Sequence, residues 1–288
     1  MAGQAATRVE GIPVQLSHVD KVFFPDEGIT KGDLVEYYRQ MAPRILGFQR
    51  DRPLVMGRYP DGITGHAIVQ KNVPGYFPGW VSRAEVGKKG GTVCHVIADK
   101  PATLVYLANQ GCIELHSFLS RLEAPGRPDQ IVFDLDPPDE TGFGQACQVA
   151  MELRELLARE HELTSYVKTT GGKGLHVHVP LRAEHDFDTA RDFARDVAGR
   201  LASRSPRQLT TDQRKDRRGQ RLYLDVMRNG YAQTAVTPFS VRARPGAPVA
   251  TPVHWAEVEA GNLSPRQFTL RTLPGQLKGR DDPWADLA

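Results

Sequence analysis

The segment IVFDLDPP, residues 131–138, places two acidic residues inside an apolar run that is typical of a β-strand. Successive side chains of a strand point to opposite faces, so Asp134 and Asp136 share one face while Phe133 and Leu135 share the other. The two prolines that follow favour the end of the strand. Two carboxylates ~7 Å apart on one face repel each other unless cations lie between them, and such oxygen ligands favour Mg²⁺ or Mn²⁺. The segment therefore predicts a divalent-metal site or, with equal weight, a strand that runs into an acidic surface turn.

The composition is that of a globular protein. A chain of 288 residues with 40% hydrophobic residues can bury a core as one large domain or as two closely packed subdomains. No segment has the apolar core of a signal peptide or approaches the ~18 apolar residues of a membrane span. Three widely spaced cysteines favour reduced thiols over a disulfide framework or a zinc ribbon. We expect a cytoplasmic protein without a membrane segment, folded over residues 12–288 and preceded by a disordered N-terminus at residues 1–11.

Basic residues are clustered along the chain, although the net charge is only +3. Seven arginines and lysines crowd residues 204–221, Arg242 and Arg244 follow, and Lys88 and Lys89 lie in a glycine-rich hairpin tip. Clustered cations of this kind are typical of phosphate binding. Each run taken alone is also compatible with a solvated protein face.

A helix is predicted to begin near Gly32, because Thr30 and Asp33 form a capping-box pair ahead of apolar residues at helical spacing. Lys31 would then lie at the helix N-terminus, where free backbone N–H groups and a lysine together form an anion site. A surface helix with an incidental lysine fits the same spacing. Farther along the chain, Asp99 is predicted to cap a second helix.

Two later strands are predicted to carry polar side chains on one face. The strand at 175–180 presents His176 and His178, and the strand at 221–226 presents Asp225. If these strands share a sheet with residues 131–136, three carboxylates meet on one surface. Such a surface suits two-metal nucleotidyl transfer. Simpler alternatives are a partly buried histidine at position 178 and an ion pair between Asp225 and Arg221 or Arg228.

The loop at residues 169–174, Thr-Thr-Gly-Gly-Lys-Gly, supplies the complementary part of a phosphate site. Its glycines allow backbone N–H groups to approach an anion, Lys173 adds a charge, and the Thr170 hydroxyl can donate to a phosphate oxygen. The spacing is not that of a Walker motif. A plain hairpin turn is the simpler alternative.

Taken together, these motifs resemble the polymerase module of bacterial ligase D, in the archaeo-eukaryotic primase superfamily. The resemblance spans nearly the whole chain and is carried by the following segments: Leu16–Lys21 (LSHVDK), Gly111–His116 (GCIELH), Phe133–Pro137 (FDLDP), Gly171–His176 (GGKGLH), Leu224–Asn229 (LDVMRN) and Phe239–Gly246 (FSVRARPG).

The resemblance implies an α+β fold in which an RRM-like antiparallel catalytic sheet, flanked by helices, is joined to an N-terminal α/β part. It implies two divalent ions, Mn²⁺ or Mg²⁺, on Asp134, Asp136 and Asp225. The residues that it places near the incoming NTP or dNTP are His116, Thr170, Lys173, His176, Arg218 and Arg242. Lys21 and Lys31 would hold the 5′-phosphate of a gap or double-strand break, so the resemblance favours the anion site over a surface helix with an incidental lysine. Ku and a DNA ligase are the implied protein partners, and the implied location is the bacterial nucleoid.

The sequence departs from the family's pattern at residues 68 and 69, where contact with the template is implied. Relatives can carry paired phenylalanines that stack on the template, whereas this chain has Ile68 and Val69, followed by Lys71. Aliphatic side chains give apolar contact but lack aromatic stacking, which contributes ~1–3 kcal/mol per base. We therefore expect weak template contacts at Ile68, Val69 and Lys71.

The predicted function is a metal-dependent, template-directed nucleotidyltransferase that prefers ribonucleotides and fills gaps or extends 3′ ends in end joining or gap repair. A de novo primase and a non-catalytic DNA-end-binding module are the two alternatives. Clustered carboxylates favour catalysis, since binding to DNA alone has no need of them. A start at Met1 and an acidic end favour a free-standing polymerase over an excised domain.

Overall fold

The computed structural model describes residues 5–287. Its first part contains β1 (Ala5–Val9), β2 (Ile12–Leu16), β3 (Val22–Phe24), β4 (Ile29–Thr30), α1 (Lys31–Gln49), β5 (Pro53–Arg58), β6 (Ile68–Gln70), β7 (Arg83–Lys88), β8 (Gly91–Ile97), α2 (Pro101–Asn109) and β9 (Cys112–Phe118). The second part contains β10 (Gln130–Asp136), α3 (Phe143–His161), β11 (Tyr166–Thr169), β12 (Leu175–Pro180), α4 (Phe187–Arg204), β13 (Leu209–Thr210), α5 (Lys215–Arg218), β14 (Leu222–Asp225), β15 (Thr234–Val236), β16 (Pro252–Val253), α6 (Trp255–Glu259) and α7 (Leu273–Gln276).

The N-terminal hairpin corrects one prediction. Strands β1 and β2 pair in antiparallel register, and the turn between them uses positive φ angles at Glu10 and Gly11. Val9 and Val14 are buried in the core, which holds the hairpin against the protein. The predicted disorder of residues 1–11 is therefore wrong for residues 5–11, while residues 1–4 lie outside the described part of the chain.

Helix α1 begins with the predicted capping box, one residue earlier than expected. The Thr30 hydroxyl accepts from the Asp33 N–H, and the Asp33 carboxylate accepts from the Thr30 N–H at 2.8 Å. The buried face of α1 packs against α2. Two tyrosines extend this packing into polar contacts, because Tyr37 donates to the Phe239 carbonyl and Tyr38 to the Ile113 carbonyl, each at 2.8 Å.

Two six-stranded sheets form the framework. The first has the order β15-β9-β5-β8-β7, with β6 paired to β5 at its side. The second carries the predicted catalytic acids and is named the catalytic sheet. Its order is β13-β14-β10-β12-β11-β16, and all its pairs are antiparallel except β13-β14. This arrangement confirms the predicted α+β class with an antiparallel catalytic sheet flanked by helices.

The catalytic sheet follows the alternation that the sequence predicts. Phe133 and Leu135 on β10 are fully buried, and α3 and α4 pack against this sheet. The other face carries the polar residues and looks toward the first sheet, because β15 and His116 of β9 line a common cleft with it. A continuous hydrophobic core includes residues of both sheets. Within residues 5–287, no helix is long and apolar enough to span a membrane.

The chain after Ser264 is part of this core. Trp284 is 1% exposed, and its indole N–H donates to the Val167 carbonyl at 3.0 Å. Its ring also lies 4.8 Å from the ring of His178. The C-terminal segment therefore packs against β11, the strand that precedes the predicted phosphate-binding loop at residues 169–174 (the phosphate loop).

Candidate active site

One row of polar side chains runs across four neighbouring strands of the catalytic sheet. The antiparallel registers place Lys168 of β11 opposite His176 of β12, His176 opposite Asp134 of β10, and Asp134 opposite Asp225 of β14. His176 Nε2 lies 3.5 Å from the Asp134 carboxylate. The prediction that three strands bring acids and a histidine to one face is thus realised as a continuous row.

Asp136, two residues farther along β10, is balanced by two cations from other elements. Lys173 Nζ lies 3.2 Å from one carboxylate oxygen, and Arg218 Nη1 lies 3.7 Å from the other. The Arg218 guanidinium stacks on Tyr223, 3.6 Å above the ring centroid. It also donates to the carbonyls of Asp212 and Gln213, so α5 and its preceding loop hold this cation in position.

The hydrogen-bond partners of Asp225 differ from the arginines that the sequence suggested, Arg221 and Arg228. Its carboxylate accepts from the Met227 N–H at 2.8 Å and from the Tyr223 hydroxyl at 3.2 Å. Neither of the predicted arginine partners is bonded to it. Arg228 lies beside Asp134 instead, with 3.9 Å between Nε and the carboxylate.

Burial is the main influence on the pKa values of the acids in the row. Burial raises the pKa of Asp134, even though Arg228, Lys168 and other cations oppose the shift. Burial also raises the pKa of Asp225, and the charge of Asp134 adds to that shift. A divalent cation bound to these carboxylates would stabilise their charged forms, and aspartate oxygens are the ligands that Mg²⁺ and Mn²⁺ prefer.

The donor set therefore fits a divalent ion in charge and ligand type. In the side-chain arrangement described, the carboxylates are directed to cations and hydrogen-bond donors. Among residues 5–287, no three His, Cys, Asp or Glu side chains are already grouped in a way that could hold a metal ion. Metal ligation would have to replace the contacts of Asp136 with Lys173 and Arg218.

The loop between β11 and β12 is a tight turn built for close approach of the backbone. Gly171 has φ of +65°, and a Cβ atom there would lie 2.8 Å from Cγ of Arg242. A Cβ atom on Gly174 would lie 2.0 Å from the Leu135 carbonyl oxygen, which only a glycine allows. The Thr170 hydroxyl donates to the Gly174 carbonyl at 3.0 Å and accepts from the Gly172 N–H. The threonine thus stabilises the turn in this conformation.

A second group of polar residues faces the acids from the first sheet. Glu114 of β9 accepts a hydrogen bond from Arg242 Nε at 2.9 Å, and its other oxygen lies 3.4 Å from His116 Nε2. Arg242 Nη1 donates to the Thr170 carbonyl at 2.8 Å, which joins this group to the phosphate loop. The two sheets therefore meet through charged contacts at the cleft.

The cleft between the sheets has a volume of about 150 Å³. The residues that line it are His116, Asp134, Asp136, Thr170, Gly172, Lys173, Gly174, His176, Arg228, Thr234, Ala235, Val236, Arg242 and Arg244. Seven of the predicted metal and nucleotide residues are among them. The other two border it, because Asp225 is the cross-strand partner of Asp134 and Arg218 lies beside Asp136.

The two predicted 5′-phosphate residues lie together at the start of α1. Lys31 is 6% exposed, and its Nζ donates to the Asn109 carbonyl at 3.1 Å and to the Ser17 hydroxyl at 3.4 Å. Burial lowers the pKa of Lys31, and the charge of Lys21 lowers it further. Lys21 itself is more exposed and pairs with Asp61 at 2.5 Å. Two cations that repel each other at a helix N-terminus suit a doubly charged anion.

The predicted template residues lie on the outside of the first sheet. Val69 is 73% exposed and Ile68 39%, both on β6, and Lys71 follows as an exposed residue. Exposed apolar side chains on a short strand at the side of a sheet are available for contact with a flat partner.

The structure adds residues that sequence reasoning did not assign to the site. Arg228 and Arg244 line the cleft, and Lys168 is fully buried at the end of the polar row. Glu114, within the segment Gly111–His116, is also part of the site through its bond with Arg242. The signal for Lys168 was its position just before the phosphate loop, and the signal for Arg228 was its position just after Asp225.

The chain is similar to known proteins over most of its length. A family model described as LigD, primase-polymerase domain, matches residues 30–284. The bifunctional non-homologous end joining protein LigD of Bacillus subtilis is 32% identical over 274 residues, which are 95% of this chain and 44% of that protein. The multifunctional non-homologous end joining DNA repair protein LigD of Mycobacterium tuberculosis is 34% identical over 254 residues, 85% of this chain and 33% of that protein.

A solved structure gives the same result. The polymerase domain from Mycobacterium tuberculosis ligase D in complex with DNA superposes with a TM-score of 0.89 and 32% sequence identity, covering 95% of this chain and 97% of that one. These matches confirm the resemblance predicted from the motifs. The chain spans less than half the length of the two LigD proteins compared.

Proposed function

The chain belongs to the LigD primase-polymerase domain family, and on this premise we propose that it is a template-directed, metal-dependent nucleotidyltransferase that extends 3′ ends at gaps and breaks in DNA. The observation that carries the proposal is the row Asp134–Asp225 with Asp136, facing a glycine-rich loop and an arginine across one cleft. Acids and phosphate-binding groups that face each other across one cleft suit transfer of a nucleotidyl group.

In this proposal Asp134, Asp136 and Asp225 hold two divalent ions, Mg²⁺ or Mn²⁺. The ions supply Lewis-acid stabilisation of the phosphate and activation of the attacking 3′ hydroxyl. His176 packs beside Asp134, where it restricts the position of that carboxylate. The raised pKa of Asp134 and Asp225, caused first by burial, is the electrostatic reason that this surface favours cations.

The incoming triphosphate is assigned to the basic side of the same cleft. Lys173, Arg218 and Arg242 supply its positive charges, while the turn at Thr170 and the nearby His116 and His176 complete the walls. Charge-assisted hydrogen bonds of this kind contribute about 1.5–3 kcal/mol each. A preference for ribonucleotides over deoxyribonucleotides is part of the proposal by family membership.

The DNA end is assigned to the N-terminal part. Lys21 and Lys31 bind the 5′-phosphate of the downstream strand, and Ile68, Val69 and Lys71 contact the template. Ku and a DNA ligase are the proposed protein partners, by analogy with the end-joining relatives, and a nucleoid-associated cytoplasmic location follows from a chromosomal substrate.

A single experiment tests the chemistry, the sugar and the metal. The protein is incubated with gapped DNA that carries or lacks a 5′-phosphate, with rNTP or dNTP, in Mg²⁺ or Mn²⁺. Template-directed addition that requires a metal and is stronger on the phosphorylated gap supports the proposal. Asp134→Asn should abolish it, while Asp139→Asn, in the same segment but exposed and bonded to Thr141, is the matched control.

The same experiment separates the two alternatives. Synthesis of dinucleotides on single-stranded template without a primer would favour a de novo primase. Binding of DNA ends without synthesis at any metal concentration would favour a non-catalytic module. Equal activity of Asp134→Asn and the wild type would exclude the proposed metal site.

A further inference from the structure

Glu114 is placed between two residues that the proposed function assigns to the nucleotide. One oxygen, Oε1, accepts from Arg242 Nε at 2.9 Å and from the Ala243 N–H at 3.1 Å. The other, Oε2, lies 3.4 Å from His116 Nε2. The same carboxylate therefore contacts the arginine, the backbone beside it and the histidine.

This carboxylate is kept inside the protein by its partners. The Glu114 side chain is 13% exposed and that of Arg242 17%. Burial works to raise the pKa of Glu114, but the hydrogen bond with His116 and the charge of Arg242 outweigh it and hold the pKa well below its usual range. A buried carboxylate that stays ionised orients the donors around it more firmly than a neutral group could.

The neighbouring strand β5 leaves space for the Glu114 side chain. Gly57 of β5 lies opposite Glu114 in the antiparallel pair, and a Cβ atom at Gly57 would lie 2.9 Å from Cβ and 3.3 Å from Oε2 of Glu114. Any larger residue there would have to displace the glutamate. The strand pair is thus shaped around the position of this side chain.

Arg242 is held at both ends of its guanidinium group. Nε is fixed by Glu114, and Nη1 is fixed by the Thr170 carbonyl of the phosphate loop at 2.8 Å. These bonds use only part of the donor set of an arginine, so donors remain for an anionic ligand. The bond geometry sets the direction of those remaining donors before any ligand arrives.

We propose that Glu114 is a positioning residue for the incoming nucleoside triphosphate, which acts by orienting Arg242 and His116 across the cleft from the acids. This inference rests on the proposed function, and it adds a residue to which the family resemblance assigned no role. Glu114 does not touch the triphosphate, because its own charge would repel it. Its effect passes through the arginine.

The test is equilibrium binding of ATP with Mg²⁺, without DNA, together with steady-state extension of a gapped DNA. Glu114→Gln keeps the shape but removes the charge, and we expect ATP binding to weaken and KM to rise ~10-fold, while kcat changes much less. Binding of DNA ends should stay close to the wild type, while the unfolding midpoint should fall, because the folded protein stabilises the ionised carboxylate. Glu36→Gln is the matched control, since Glu36 is a partly exposed glutamate paired with Arg39 on α1.

A double-mutant cycle identifies the residue through which Glu114 acts. In an Arg242→Ala background, Glu114→Gln should add little to the loss of ATP affinity. Gly57→Ala offers a second route, because its methyl group displaces the glutamate, and it should reproduce the loss of ATP affinity without loss of DNA-end binding.

Three outcomes would overturn the inference. The first is that Glu114→Gln binds ATP as the wild type does, and the second is that its effect simply adds to that of Arg242→Ala. The third is that binding of DNA ends falls as much as ATP binding does, as a purely structural role requires. These outcomes leave the polymerase proposal standing. If the wild type itself neither binds ATP nor extends DNA, the proposed function fails and this inference fails with it.

Discussion

Replacement of Lys168 by methionine should stabilise the protein and impair catalysis. Lys168 is 0% exposed, and its Nζ has no hydrogen-bond partner among the described residues. Burial lowers its pKa far below the ordinary lysine value, with the charge of Arg242 acting in the same direction and that of Asp134 against it. Because the net direction is downward, desolvation outweighs the attraction to Asp134. The lysine therefore destabilises the fold at neutral pH.

The size of the expected stabilisation follows from the buried ammonium group of Lys168, which has no hydrogen-bond partner among the described residues. A buried donor without a partner costs about 1–3 kcal/mol, and methionine fills nearly the same space with an adaptable apolar chain. We expect Lys168→Met to raise the free energy of unfolding by about 1–3 kcal/mol, or ~2–10 °C in melting temperature. Lys278→Met, at an exposed lysine, should change stability by no more than ~0.5 kcal/mol.

The pH dependence gives an independent check. With a folded-state pKa below the unfolded value of 10.5, the folded protein binds this proton less tightly than the unfolded chain does. The destabilisation is therefore complete below the folded-state pKa and disappears as the pH rises toward the unfolded value. The stability difference between Lys168→Met and the wild type should be larger at neutral pH than in alkaline buffer, and it should narrow as the pH rises toward the unfolded value.

Urea unfolding at two pH values and steady-state extension of gapped DNA measure both effects. We expect a fall in kcat, because Lys168 ends the row that contains His176, Asp134 and Asp225 and is a positive group in their surroundings. A mutant that is less stable than the wild type at neutral pH would refute the reasoning. It would show that the ammonium group is paired in the folded protein.

Three further predictions concern the ligand surfaces. Lys173→Ala and Arg218→Ala should each raise the KM for the triphosphate ~10-fold or more in steady-state kinetics, and an unchanged KM would assign these cations to the DNA backbone instead. Combined replacement of Lys21 and Lys31 by alanine should weaken binding to 5′-phosphorylated gaps by ~10²-fold with little effect on hydroxyl ends, whereas equal losses on both ends would make the lysines generic backbone contacts. Val69→Phe should tighten single-stranded template binding by up to ~1–3 kcal/mol, and an affinity equal to that of the wild type would place the template elsewhere.

Local patterns predicted the parts of the site that depend on neighbouring residues. The alternation of residues 131–136 fixed which side chains of β10 face the helices and which face the cleft. The capping pair at Thr30 and Asp33 located the start of α1 to within one residue. The glycines at 171–174 predicted a turn that other groups can approach closely, and the structure has a positive φ at Gly171 and close backbone contact at Gly174.

Several contacts that the sequence did not predict are between distant segments. Asp99 was expected to cap α2, but the helix begins at Pro101 with Lys100 as its N-cap, and Asp99 accepts from the Ser82 hydroxyl at 2.6 Å. Proline at the first helical position needs no cap for its missing N–H, which leaves the aspartate available for another partner. Similarly, the partner of Arg228 depends on the register between β14 and β10, which local sequence does not specify.

The charges around the acids connect metal binding with nucleotide binding. In the described arrangement, Asp136 is neutralised by Lys173 and Arg218, the same two cations that the proposed function assigns to the triphosphate. If these cations turn to a ligand, Asp136 loses its partners, while burial already disfavours the charged forms of Asp134 and Asp225, as the raised pKa of each indicates. A surface with three acids and fewer compensating cations would be less favourable in a partly buried cleft. The triphosphate and the divalent ions are therefore expected to bind together, because each removes the charge imbalance that the other would create.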